Sequence, residues 1–443
     1  MARPALKQAR ELCHATMLLL LLALQLPAAC ARAGFGGLTL PPVVSTTPPP
    51  SAAAKQKLFE IADWIVRDCG FMTHTHTIPY DNGTEFNNTC TSHERDSLTL
   101  GASIFVNGDL ARILMASYRL SKNGTYLSHA LGWCDSFVAQ QRTVPTFDGS
   151  GTAGYWYTGY AEGPGSKTPE TQGLYLADTG TAVTALAVGY KLALEAAPAR
   201  APAYLQALTR FVTLVERGCK RGLVGSAAAS PGWLISSGAD SGALGCGYYE
   251  GALSLDAYTV GTSITGGCFL ALMANITSTA RLGTLADGAI HWLAQQVIAQ
   301  GDGQVPLRIA GKPPKTTCAG SDTCYDAIAY ATEGVVGASF YASPPDAAAF
   351  NLTVRYLVRS QNADGSWGKR CCGDQLRSHR SASLLSWYLT RVGQDDAVLG
   401  ALNRWVGAAS AGQLCGLTRP FETISVGMIG LALADAIEFG VSF

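Results

Sequence analysis

The chain has 443 residues, with 32 basic and 32 acidic side chains and only 14% of its residues charged. Recognition of nucleic acid draws on clustered positive charge, so this balance gives no reason to expect a nucleic-acid partner, and any charged substrate has to be met locally.

At the N-terminus, Lys7 and Arg10 precede an apolar run at residues 17–24 and the small-residue stretch Ala29-Cys30-Ala31. This is the pattern of a cleavable secretory signal, expected at 1–31. The run is too short to cross a bilayer. The apolar stretch at 424–443 is interrupted by Asp435 and Glu438, so no membrane anchor is expected and the chain is expected to be secreted and extracellular. Five sequons, at Asn82, Asn87, Asn123, Asn275 and Asn351, suit N-glycans added during export. Of the 13 cysteines, Cys13 and Cys30 leave with the signal, and the odd remainder implies at least one thiol unpaired or paired with another chain. In an oxidising compartment the expected pairings are Cys69 with Cys90, Cys219 with Cys246, Cys318 with Cys324, and Cys371 or Cys372 with Cys415. No pair has zinc-finger spacing. The Pro/Ser/Thr-rich residues 32–51 read as an exposed linker, and residues 52–443 as a single folded domain.

The domain opens with a predicted helix over 55–69, in which Leu58, Ile61, Ala62 and Ile65 share a face. From Asp96 onward one unit repeats: a Gly/Ala-rich apolar segment, a break, then a segment with an apolar stripe. The first segments begin near Asp96, Asp178, Asp256, Asp326, His379 and Glu422 and are small or apolar almost all round. Such segments suit crowding between an axis and an outer layer, so they are inner helices. The second segments carry stripes at steps of three and four: Leu127, Leu131, Cys134 and Val138; Leu205, Leu208, Val212 and Val215; Leu282, Leu285, Ala289 and Trp292. Phe350, Val354, Leu357 and Val358, then Val398, Leu402, Trp405 and Val406, continue the series. Each buries one face and leaves the other to solvent, as an outer helix does. The last inner segment has no following partner, and the helix at 55–69 can supply it and close a ring. Long Gly-rich loops at 142–177, 218–255 and 301–325 lead into inner segments, and loops of that length are often functional.

The fold class is therefore all-α, a closed ring of six helical hairpins. In this it resembles the six-hairpin (α/α)6 toroid superfamily, which contains glycoside hydrolases and polysaccharide lyases. Gln361-Asn-Ala-Asp-Gly365-Ser-Trp367 is a QxxxGxW motif, similar to the repeat of terpene cyclases, but the acidic DxDD motif of those enzymes is absent. Its physical content is a helix ended by a Gly turn, with Gln closing the turn and Trp packing back.

The resemblance implies a carbohydrate ligand and a cleft where the segments entering the inner helices gather. Hydrolysis needs one carboxylic acid and one carboxylate, about 6.5–9.5 Å apart in an inverting enzyme. Asp178 and Asp256 are the expected pair, because each follows an aromatic Gly-rich loop. Asp96, Asp326, Glu333 and Glu422 are lesser candidates, and the competing reading for an acid at a helix start is a cap. Tyr155, Trp156, Tyr157, Tyr160, Trp233, Tyr248 and Tyr249 are expected to face sugar rings, or else to anchor their loops. In the basic stretch 369–380, Arg377 and Arg380 are candidate partners for uronate carboxylates. His379 or Tyr157 would then serve as a lyase base. His74 and His76, near His93 and Glu94, alternate as metal ligands do, but no metal or other cofactor is expected. The function expected first is glycoside hydrolysis of an extracellular or cell-wall polysaccharide. A polysaccharide lyase comes second, and a non-catalytic carbohydrate-binding toroid third.

Overall fold

The computed structural model describes residues 52–69, 104–158, 173–249, 252–309, 324–341, 347–368, 373–417 and 423–443. All of them belong to one compact unit, Thr47–Phe443. The expected signal and the whole of the linker, Asp96, Tyr160, Glu422, His74, His76, His93, Asn82 and Asn87 lie outside the described residues.

The repeat forms a closed ring. The inner helices are α2 (Ile104–Ser121), α4 (Leu176–Ala196), α6 (Thr259–Thr277), α8 (Tyr325–Tyr341), α11 (Ala382–Arg391) and α13 (Thr423–Ile437). The outer helices are α3 (Gly124–Gln140), α5 (Ala201–Arg217), α7 (Ala280–Gln300), α9 (Ala347–Ser360), α12 (Asp396–Ser410) and α1 (Ala52–Asp68). Each inner helix packs on the next, and α13 packs back on α2. As the stripe at its start requires, α1 lies against α13, α12 and α2 and buries Leu58, Ile61, Ala62 and Ile65. The outer stripes also face inward: Leu208, Phe211 and Val215 of α5 and Val398, Leu402 and Trp405 of α12 are buried. Caps set two outer starts. Asn123 accepts from the Thr125 amide at 3.0 Å, and Asp395 accepts from Ala397 and Val398 at 2.9 and 3.0 Å, which satisfies donors otherwise left over at a helix start.

Inner helices approach closely because their contacts are made by small residues. A methyl group built on Gly108 of α2 would stand 2.8 Å from the Thr181 carbonyl oxygen of α4. One built on Gly427 of α13 would stand 3.1 Å from Cβ of Asp109 on α2. The centre of α6 is a π-helical stretch, Thr262–Phe269. Two hydroxyls from this stretch bond the neighbouring inner helices. Ser263 Oγ donates to the Tyr330 carbonyl of α8 at 2.5 Å, and Thr265 Oγ1 donates to the Leu176 carbonyl of α4. Helix α6 is long and apolar enough to cross a membrane, but 83% of that stretch is buried inside the ring.

The QxxxGxW segment folds as its chemistry requires. Gly365 takes φ +85°, and Gln361 Nε2 donates to the Gly365 and Ala401 carbonyls, each at 2.9 Å. Trp367 is buried and its indole N–H returns to the Leu357 carbonyl of α9 at 2.9 Å.

Three expectations need correction. Two of the long loops contain strands: β1 (Arg142–Pro145) pairs with β2 (Thr152–Tyr155), and β3 (Leu174–Tyr175), β4 (Gly245–Tyr249) and β5 (Ala252–Ala257) form a small antiparallel sheet. The third inner helix starts at Thr259 with Tyr258 at its cap position, so Asp256 belongs to β5 and not to a helix start. The fifth is reached through a short helix α10 (Gly373–Ser378) and a 3-10 turn, His379–Ser381. Among the cysteines, Cys69, Cys134, Cys219, Cys246 and Cys268 are buried and not disulfide-bonded. The expected Cys219–Cys246 and Cys69–Cys90 bonds are therefore not formed, and Cys219 Sγ lies 3.2 Å from the Tyr248 hydroxyl instead. Cys324 and Cys415 are not among the free thiols, and the partners expected for them, Cys318 and one of Cys371 or Cys372, lie outside the described residues.

Candidate functional site at the mouth of the ring

The ends at which the chain runs into its inner helices gather one set of ionisable side chains. Strand β3 runs directly into α4 and places Asp178 in the first turn of that helix. Strand β5 runs into α6 and places Tyr258 at its start. Strand β4 pairs with both, Leu174 opposite Tyr248 and Tyr248 opposite Leu253, so the sheet ties the starts of α4 and α6 together. This close pairing depends on Gly247 at φ +120°, where a side chain would drive into the Leu174 carbonyl. Asp326 lies in the first turn of α8 with Tyr330 one turn on, and Arg377 comes from α10.

These groups feel one another's charge. Arg377 acts on Asp178, Asp178 and Tyr175 act on Tyr258, and Tyr330 is influenced by Arg377, Asp326, Asp178 and Asp109. Arg377 Nη1 is 4.0 Å from Asp326 Oδ2. Burial holds both phenols in their protonated form, Tyr258 and Tyr330 each lying well above the usual tyrosine range.

Two carboxyl groups stand out. Asp178 keeps some contact with solvent. It does not cap α4, whose cap position is Tyr175, and no described residue donates a hydrogen bond to it. Burial pushes its pKa up to about 7, and Arg377 only partly opposes this. Asp109 lies in the second turn of α2, buried against Gly427 of α13, and also receives no hydrogen bond from a described residue. Burial pushes it up to about 7 as well, opposed by Arg112 and Arg380 and reinforced by Glu333. Neighbouring inner helices thus present two acids that change charge near neutral pH, which is the range useful for proton transfer. Asp109 is the group that sequence reasoning missed. Its signal is an Asp-x-x-Arg pair inside an inner segment where charge is otherwise scarce.

The other expected site residues fall elsewhere. Asp256 is exposed on β5, where with Asp240, Arg308 and Trp233 it lines a separate cleft of ≈ 540 Å³. Asp326 stays at the mouth but accepts from the Ala327 amide at 2.8 Å in addition to its contact with Arg377. Glu333 is not an open lumenal acid. Burial alone would raise its pKa, but ion pairs with Arg112 and Arg380 outweigh that and hold it below the ordinary range. Arg380 is 1% exposed and bound to Glu333 and Asp435, so it has no face for substrate. His379 is buried beside Trp405, whose indole N–H points to Nδ1 at 3.4 Å, and burial lowers its pKa to about 3. It can serve no lyase chemistry at the mouth.

The aromatic loop residues are anchors. Trp156 is 1% exposed, donates to the Phe137 carbonyl at 2.7 Å and meets Phe211 edge-on. Tyr155 and Tyr157 pack edge to face and are buried. Trp233 packs edge-on against Tyr248, whose hydroxyl donates to the Ala228 carbonyl at 2.6 Å. Large Gly-rich loops need such internal pins, and here they consume the rings expected to face sugars. The Tyr249 side chain, like Tyr160, lies outside the described residues. Among the described residues, no group of three or more His, Cys, Asp and Glu side chains comes together to hold a metal.

No protein-family model matches the chain, and no curated protein matches it in sequence. The fold, by contrast, has many solved counterparts. A protein described as a possible member of the GH105 family, from Salmonella enterica serovar Paratyphi A, aligns at 10% identity and a TM-score of 0.52 over 88% of this chain and 96% of that one. An unsaturated glucuronyl hydrolase from Bacillus sp. GL1, responsible for the degradation of glycosaminoglycan, aligns at 13% identity and 0.52 over 88% and 98%. An Asp-to-Asn variant of UGL with dGlcA-Glc-Rha-Glc aligns at 13% and 0.54 over 87% and 97%. The closed ring is the fold of the six-hairpin (α/α)6 toroid superfamily.

Proposed function

We propose that this (α/α)6 toroid is a carbohydrate-active enzyme, and specifically a glycoside hydrolase in which Asp178 and Asp109 supply the acid and base carboxyls. The observation that carries this reading is the pair of carboxyls, both raised to about 7 and neither hydrogen-bonded by a described residue, on adjacent inner helices at the end where the chain runs into them. An acid must hold its proton at neutral pH to give it to a leaving oxygen, and burial supplies that condition. Arg377, Tyr258 and Tyr330 line the same mouth and can orient a polyhydroxylated substrate. The phenols keep their protons, which suits donation to sugar oxygens better than abstraction of a carbon-bound proton by a lyase base. Fold likeness to sugar-cleaving toroids supports the substrate class by analogy only.

Export and N-glycosylation belong to the same proposal. Asn123 and Asn275 are exposed and Asn351 is half-buried. The buried thiols suit an oxidising compartment, because burial raises Cys134 and Cys268 far above the range in which a thiolate forms and a thiol without thiolate is inert.

The test is a screen of the purified chain, and of the Asp178→Asn and Asp109→Asn variants, against neutral and acidic polysaccharides and their oligosaccharides. New reducing ends in the parent, reduced at least about 100-fold by each substitution, are the expected result. Ultraviolet absorbance of unsaturated uronides, retained in both variants, would replace hydrolysis with elimination at another site. Saturable glycan binding without bond cleavage would make the ring a binding scaffold.

A further inference from the structure

Beneath the two acids lies a network of buried charge that the proposed chemistry does not itself consume. Arg112 donates from Nε to the Ser442 carbonyl at 3.0 Å and from Nη1 to Glu333 Oε1. Arg380 donates from Nε to Glu333 Oε2 at 2.7 Å, and from Nη1 to Asp435 Oδ2 at 2.5 Å and Ser383 Oγ at 2.7 Å. Both guanidinium groups lie over the Phe443 ring, at 4.5 and 5.6 Å from its centroid. Two arginines balance two carboxylates, so nothing in the network is left over to neutralise a third anion.

One donor, however, is left over. Arg112 Nη2 is fully buried and has no hydrogen-bond partner among the described residues. An unpaired buried donor costs about 1–3 kcal/mol, and more on a charged group, so its presence asks for a partner in another state of the protein. Asp109 is three residues earlier on the same helix, and such residues share a face. It lies within reach of the Arg112 charge and accepts no hydrogen bond from a described residue. The charged groups that act on it from the packed elements are Glu333 of α8 and Arg380 of the 3-10 turn, with Asp435 of α13 behind Arg380, and its own charge reaches the titratable Tyr330 of α8. Of the two guanidinium groups that act on it, Arg380 is committed through all three nitrogens, whereas Arg112 Nη2 has no partner among the described residues.

We propose that Arg112 is a positioning residue for Asp109, its spare Nη2–H donating to the Asp109 carboxylate when that group gives up its proton. The inference rests on the reading of Asp109 and Asp178 as the reacting pair, and it divides their roles. Asp109, with a donor held ready for its anion, is the base, and Asp178, with no such donor, is the acid. Arg112 touches no substrate. It acts by fixing where the carboxylate points and by setting the pH at which it forms.

The experiment follows ionisation directly and so does not depend on cleavage. In the full chain with carbon-13-labelled aspartate, the carboxyl resonance lost in Asp109→Asn reports the Asp109 titration. In the parent protein the Arg112 guanidinium N–H resonances are expected to shift with that same midpoint. In Arg112→Lys, which keeps the charge but removes the second amino group, the Asp109 midpoint is expected to rise by about one unit, roughly a tenfold loss of carboxylate at fixed pH. The double variant Arg112→Met/Glu333→Gln, which leaves Arg380 paired with Asp435, is expected to raise it further, while the Asp178 midpoint stays. On a cleaved substrate, the low-pH limb of kcat/KM then moves with Asp109 while KM holds. A parent protein whose Arg112 resonances ignore the Asp109 titration overturns the proposal, as does a folded variant with an unmoved midpoint. If no glycan is cleaved, the functional reading fails while the titration still decides the role of Arg112.

Discussion

At the scale of single residues, the two raised aspartates and the depressed histidine give stability a definite pH dependence. A carboxyl at about 7 in the fold and near its ordinary value of about 3.9 when unfolded keeps its proton longer in the folded state. Between roughly pH 4 and 7 the unfolded chain is therefore the one that releases protons, and stability falls as pH rises through that window. His379 works in the opposite direction. Held near 3 in the fold, it stays neutral where the unfolded imidazole is protonated, so stability falls as pH drops below about 6.5. Calorimetry of Asp178→Asn against the parent is expected to show a higher melting temperature for the variant at pH 8, with the difference shrinking below pH 6 and gone near pH 4. A gap that is constant with pH would mean that Asp178 titrates normally. Asp178 is legible in the sequence because it starts an apolar segment after an aromatic loop. Asp109 leaves only its Asp-x-x-Arg pair as a signal, because its segment NGDLARILM otherwise reads as one more inner helix, and the burial that raises its pKa is supplied by helices distant in sequence. The inward turn of Arg380 and His379 is hidden for the same reason: a basic stretch between cysteines resembles a solvated loop until Glu333 and Asp435 are brought beneath it.

At the scale of elements, the outer helices are the easiest to read, since a stripe at steps of three and four reports the buried face directly. The inner helices are legible as a class from their small residues, but their starts are not. Strand β3 is two residues long and the pairing of β4 depends on Gly247, so neither leaves an alternating pattern. The glycines also predict opposite outcomes for one substitution. Gly108→Ala places a methyl group against the Thr181 backbone at 2.8 Å, which α4 can relieve only by moving, so a loss of about 1–3 kcal/mol is expected. Gly407→Ala on outer helix α12 meets nothing within 4 Å and is expected to gain about 0.5–1 kcal/mol from helix propensity. Denaturant midpoints of the two variants decide it, and a neutral Gly108→Ala would show that α2 and α4 yield to each other at little cost.

At the scale of the whole molecule, the ring is closed by the sequence-distant pair α1 and α13. Ile65 of α1 is fully buried at that seam. Ile65→Ala is expected to cost about 2–5 kcal/mol. Because α13 and α2 share the seam, faster hydrogen exchange should appear in those inner helices as well as in α1. Protection lost from α1 alone would make the first helix a peripheral strut. The closure is legible as a count, with six inner segments and five following partners leaving one place that only the helix at 55–69 can take. The same closure has a consequence for the chain as it is made. Until residues 423–437 have left the ribosome, the flank of α2 and the part of α1 that α13 covers stay open, and exposed surface of that kind invites aggregation. The nascent protein must therefore hold an open arc of hairpins through most of its synthesis, so shielding of that arc during elongation, and not the final stability of the ring, is expected to govern how much folded protein a cell recovers.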